Sequence, residues 1–136
     1  KYFTCVNDSK ATSFDACLQS LSSYNKIYWI FGGLQKRHDH FDLSQVSKKI
    51  VKAYIIGKKT TFFIKQIQQK IPYLVARNLK NAVDNICSEI KEKGDRNCTI
   101  LFSPAAASFD QFRNFEDRGN QFKTLIKRKE KIFFHA

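Results

Sequence analysis

Three stretches of this chain carry residues able to hold negative charge, and a fourth could in principle hold a metal. Asn7-Asp8-Ser9-Lys10-Ala11-Thr12 places a carboxylate, hydroxyls and an ammonium within six residues. Gly32-Gly33-Leu34-Gln35-Lys36 joins two glycines to a lysine. Without Cβ atoms a backbone can approach a ligand closely, and the ammonium supplies charge. The spacing is not that of a phosphate-binding GxxxxGK[ST] loop. Residues 103–122 read SPAAASFDQFRNFEDRGNQF. Their small residues permit close approach, and Ser103 and Ser108 offer hydroxyls. No G-x-S-x-G elbow is present and no histidine neighbours either serine, which argues against nucleophilic serine chemistry. His38-Asp39-His40-Phe41-Asp42 has metal-ligating groups, but no further ligand stands at helical or strand spacing. It is read as a solvated loop, with no metal ligand and no catalytic residue assigned.

These stretches need elements to position them. Hydrophobic periodicity predicts strands over residues 2–6, 27–31, 51–56, 73–76 and 99–102. Helices are expected over 10–21, 43–49, 60–69 and 78–93, with a polar loop over 34–42 between them. Gly94 is the expected cap of the 78–93 helix. A helical turn is expected after Pro104, then a long helix carrying Phe115, Phe122, Leu125 and Ile126. In this reading Asp8 or Ser9 caps the first helix, and Lys10 lies in its first turn. There the ammonium would join the free N–H groups in holding an anion. Charge-poor strands alternating with amphipathic helices predict an α/β fold, a mostly parallel twisted sheet with helices on both faces. In such sheets ligands sit beyond the carboxyl ends of the strands, which is where the three stretches fall.

A length of 136 residues suits one domain, 1–136, and no linker or repeat divides it. No apolar run approaches the roughly 20 residues of a membrane span, and no leader is visible, so a cytoplasmic protein without membrane contact is expected. Cys5, Cys17, Cys87 and Cys98 fit no metal spacing and read as buried thiols in a reducing compartment. The net charge of +12 admits a polyanionic partner, and a basic nucleic-acid-binding module is the alternative reading. Yet only 6 of the 24 basic residues are Arg, the usual reader of bases and phosphates. Lys, Ile, Phe and Asn, all written with A/T-rich codons, are abundant. Codon bias and anionic small substrates account for the charge better than nucleic acid.

The three stretches, in this order, resemble the C-terminal domain of the Mur ligases, and among them the members that add D-glutamate. The matching segments are NDSKAT at 7–12, GGLQK at 32–36 and the long segment at 103–122. The resemblance runs from residue 2 to about residue 127. Two departures are Ser13, where Asn is frequent, and Ala106, where Cys is frequent. The resemblance implies a Rossmann-like fold and ATP-dependent amide synthesis in peptidoglycan assembly. UDP-N-acetylmuramoyl-L-alanine would be activated by ATP and Mg2+ as an acyl phosphate, which the amine of D-glutamate attacks. It implies Thr12, Lys36, Ser108, Phe109 and Phe115 as D-glutamate-binding residues, with Asp8 and Lys10 on the ATP side. Arg118 and Gly119 match the same motif and are read as packing residues. The family's UDP-binding and P-loop ATPase domains have no counterpart here. The chain alone is therefore expected to be inactive, with ATP and Mg2+ bound mainly by the missing central domain.

Overall fold

The computed structural model describes residues 3–107 and 111–130. Five strands form one parallel sheet: β1 (Phe3–Asn7), β2 (Ile27–Gly32), β4 (Ile50–Ile56), β5 (Tyr73–Arg77) and β6 (Cys98–Phe102). Their order is β1-β6-β2-β4-β5, so β6 lies between the first two strands of the chain. Two further short strands, β3 (Leu34–Gln35) and β7 (Ala106–Ala107), pair antiparallel as a separate ribbon.

The sheet is buried on both faces because alternate strand residues point opposite ways. On β2, Trp29 and Phe31 enter one core with Phe14, Cys17 and Leu21 of α1 (Phe14–Ser23) and Phe63 and Ile67 of α2 (Thr61–Ile67). Tyr28 and Ile30 enter the other, beneath α3 (Leu79–Lys93) and α4 (Phe115–Lys129). The two faces are covered as the charge-poor strands predict. Asn78 caps α3 by accepting from the N–H of Asn81, and Gly94 ends it at φ 65°.

Four local expectations are corrected. The first helix begins at Phe14, not at residue 10. Neither Asp8 nor Ser9 caps it: Ser13 does, its Oγ accepting from the N–H of Ala16 at 3.2 Å. Residues 8–11 instead form a turn, with the Ala11 N–H donating to the Asp8 carbonyl at 3.0 Å. Lys10 is therefore in a loop and owes nothing to a helix terminus. Second, residues 34–42 are not wholly loop, since Leu34–Gln35 is a strand. Nor is HDHFD simply solvated: Phe41 is fully buried and stacks on Phe14 at 4.6 Å, and Asp39 Oδ2 accepts from the Phe14 N–H at 2.9 Å. Third, the 43–49 helix is reduced to a turn and the 3-10 helix Ser47–Lys49. Fourth, Ala106–Ala107 after Pro104 form β7 where a helical turn was expected, and residues 108–110 of that stretch lie outside the described residues.

Candidate functional site

The carboxyl ends of β1, β6 and β2 adjoin, and the three stretches leave the sheet there, tied to one another. The Asp8 N–H donates to the carbonyl of Phe102 at 2.8 Å. Asp8 Oδ2 accepts from the hydroxyls of Ser103 at 2.7 Å and Ser20 at 3.0 Å. The first stretch is thereby fastened to the third. The second joins the third through the Gly32 N–H, which donates to the Pro104 carbonyl at 2.9 Å, and through the β3–β7 ribbon. Gly33 has φ 133°, and a Cβ on it would stand 2.5 Å from the Ala107 carbonyl oxygen. This close approach requires the glycine. Beneath the junction the Trp29 indole, fully buried, donates Nε1–H to the carbonyl of Ser103 at 2.9 Å.

Cys17 lies under the same junction. Burial pushes its thiol pKa far up, and the nearby carboxylates of Asp8 and Asp39 add to the rise. It is an inert core thiol, like Cys87, which burial raises to about 12. All four cysteines are thiols, with no disulfide.

Between the first stretch and α4 runs a groove of about 370 Å³. Asn7, Ser9 and Lys10 form one wall. Phe115, Gly119 and Lys123 stand on the helical wall, one turn apart. Lys10 and Phe115, nominated from sequence, thus face one space. Lys10 is exposed, and Phe115 keeps 44% of its surface open although it begins a helix whose Phe122 and Ile126 are core. Lys10 and Lys123 bring two cations against the single carboxylate of Glu116, so the groove favours an anion.

Thr12 is exposed just beyond the turn, and Lys36 is exposed beside the β3–β7 ribbon; neither lines the groove. Ser108 and Phe109 lie outside the described residues. Asp8 is half-buried within the junction. The sequence reading passed over Asn7, Glu116, Asn120 and Lys123. The spacing 115, 119, 123 on α4 was the signal for the helical wall.

A larger cavity, about 770 Å³, opens between the start of α3 and α4, floored by Leu79, Phe112 and Leu125. It holds none of the nominated residues. Among the described residues, no three His, Cys, Asp or Glu side chains converge as metal ligands would. No helix among them is long and apolar enough to cross a membrane.

No family model matches the chain. Comparison with curated proteins finds UDP-N-acetylmuramoylalanine--D-glutamate ligases. That of Agrobacterium fabrum is 41% identical over 123 residues, covering 90% of this chain and 26% of the relative. That of Rhizobium meliloti is 42% identical over 117 residues, covering 86% of this chain and 25% of the relative. That of Rhodopseudomonas palustris is 41% identical over 121 residues, 89% of this chain and 26% of the relative. The chain spans about a quarter of the length of these relatives, to which it is homologous over nearly all of its own length.

Proposed function

We infer that this chain is the C-terminal domain, residues 1–136, of a Mur ligase that adds D-glutamate to UDP-N-acetylmuramoyl-L-alanine in the cytoplasm. The observation that carries the reading is the junction. The three stretches that resemble the family are far apart in sequence, yet Asp8–Ser103, Gly32–Pro104 and the β3–β7 ribbon fasten them together at one end of the sheet.

In this reading the chain's residues position charged reactants and do not themselves react. Lys10 and Lys123 draw an anionic group, the phosphates of ATP or a carboxylate, into the groove. Asp8 secures the loop that carries Lys10, and its Oδ1, which accepts no hydrogen bond among the described residues, remains for a donor on the nucleotide. Thr12 and Lys36 hold one carboxylate of D-glutamate, while Ser108, the backbone at Phe109, and Phe115 frame the other. Holding the amine in line with an activated carboxyl lowers the entropic part of the barrier. Among the described residues no cluster of carboxylates converges as a magnesium site would require. Mg2+ and most of the ATP contacts are assigned to the rest of such an enzyme, and no step is derived through them.

Beyond the net charge of +12, the nucleic-acid alternative draws no support from the described residues. Stacking on bases needs exposed rings. Of the large hydrophobic residues described, only Tyr73 and Phe115 are exposed aromatics, while Trp29, Phe31, Phe41 and Phe63 are wholly buried.

The test is a chimera in which this chain replaces the matching quarter of the Agrobacterium fabrum ligase. Phosphate release from ATP should require both UDP-N-acetylmuramoyl-L-alanine and D-glutamate, and L-glutamate should not substitute. A folded chimera whose turnover ignores D-glutamate would overturn the reading.

A further inference from the structure

Arg118 on α4 is 1% exposed, the only Lys or Arg side chain buried to this degree among the described residues. Its Nε and Nη2 both donate to one acceptor, the carbonyl oxygen of Ser9, at 2.9 and 2.6 Å. A guanidinium stripped of water is tolerated only where its hydrogen bonds are well made. Here they secure the loop that carries Lys10. Next along α4, a Cβ on Gly119 would stand 2.5 Å from Ser9 Oγ and 2.9 Å from Asn7 Nδ2, so helix and loop are already in close contact beside the clamp.

The clamp also fixes a peptide. The Ser9 carbonyl and the Lys10 N–H belong to one trans peptide and point opposite ways. Holding the carbonyl against α4 turns the Lys10 N–H away from that helix. Among the described residues this N–H makes no hydrogen bond within the chain. A cation on the carbonyl oxygen polarises the amide and strengthens its N–H as a donor.

We propose that Arg118 is the positioning residue of the groove. Through Ser9 it sets where Lys10 stands relative to Phe115, and so where the Lys10 ammonium meets an anionic oxygen, carboxylate or phosphoryl. The inference rests on the ligase reading for the nature of the ligand, but the clamp itself does not depend on it.

The experiment uses the isotope-labelled chain, with D-glutamate and inorganic phosphate as separate probes in nuclear magnetic resonance titrations. Without ligand, Arg118→Met should shift the Ser9 carbonyl carbon and the Lys10 amide proton upfield. Arg118→Lys, which keeps the cation, should shift them part of the way. Whichever probe binds the wild-type chain should bind Arg118→Met about tenfold more weakly, the loss of one charge-assisted contact, with Arg118→Lys between them. Shifts with D-glutamate assign the oxygen to a carboxylate, and shifts with phosphate alone assign it to a phosphoryl group. A merely structural Arg118 would lower both melting temperatures while leaving the Ser9 and Lys10 signals and the affinity unchanged, and that result overturns the proposal. If neither probe binds the wild-type chain, the anion role falls, and the ligand-free Ser9 and Lys10 signals still judge the clamp. Should Arg118→Met fail to fold, a through-bond correlation from Arg118 Nε to the Ser9 carbonyl carbon in the wild type decides, and its absence overturns the clamp.

Discussion

Lys36 stands exposed at the end of β3, its carbonyl accepting from the Asp39 N–H at 3.1 Å while its ammonium faces solvent. In a ligase carrying this chain, Lys36→Ala should remove a charge-assisted contact to D-glutamate. The expected loss is about 1.5–3 kcal/mol, one to two decades in kcat/KM for D-glutamate, with ATP KM unchanged in steady-state kinetics. Phe115 separates packing from binding differently. Its 44% exposure removes it from the core. Phe115→Leu should therefore change stability by less than about 1 kcal/mol. The same change should raise the D-glutamate KM. A thermal melt and a kinetic assay read the two effects independently. Lys10 was legible as a cation following a strand, although the helical turn it was assigned to is absent, and Phe115 was legible through the family motif alone. The part played by Arg118 was not legible. The family motif marked it as a packing residue without naming its partner, and only the fold brings the Ser9 carbonyl to it across 109 residues of sequence.

At the level of elements, the long periodic segments announced themselves and the short ones did not. The α3 stripe of Leu79, Ala82, Val83, Ile86, Cys87 and Ile90 is fully buried as its spacing implies. The start of α1 was misread because Ala11 continues the helical period while being buried in a turn. Ser13, which departs from the family's frequent Asn, is nonetheless the capping side chain, and either residue type serves there. Ser13→Ala should cost about 0.5–2 kcal/mol by denaturant unfolding. The Asp39 bond to the Phe14 N–H should keep α1 attached. The ribbon β3–β7 was invisible because Leu-Gln and Ala-Ala have no strand signature of their own, and each is extended only through the other.

For the molecule as a whole, α4 must be held against α3 as well as against the loop. Asp84 of α3 forms an ion pair with Lys129 at 2.7 Å and accepts from Lys80 at 2.9 Å. Burial pushes the Asp84 carboxyl up, but the two ammonium groups outweigh it and hold it below its ordinary 3.8. A carboxyl lowered on folding stabilises the fold above its unfolded pKa, and loses that contribution as pH falls through the folded value. Asp84→Asn should therefore melt lower than wild type near neutral pH. A part-exposed pair contributes no more than about 1 kcal/mol. The difference should close below the ordinary carboxylate range, as paired melts across pH would show. The two-faced sheet was legible from composition because charge-poor strands need cover on both sides. The strand order was not, since no local pattern states that β6 inserts between β1 and β2. That insertion governs time as well as shape. The first two strands of the chain share no ladder and wait for residues 98–102 to bring them together, so closure depends on sequence-distant pairing, which is slow. Trp29, the single tryptophan, meets the Ser103 carbonyl only once β6 has docked. In stopped-flow refolding its fluorescence should reach the native value after helical circular dichroism has begun to return, making the residue beneath the site a clock for the sheet's completion.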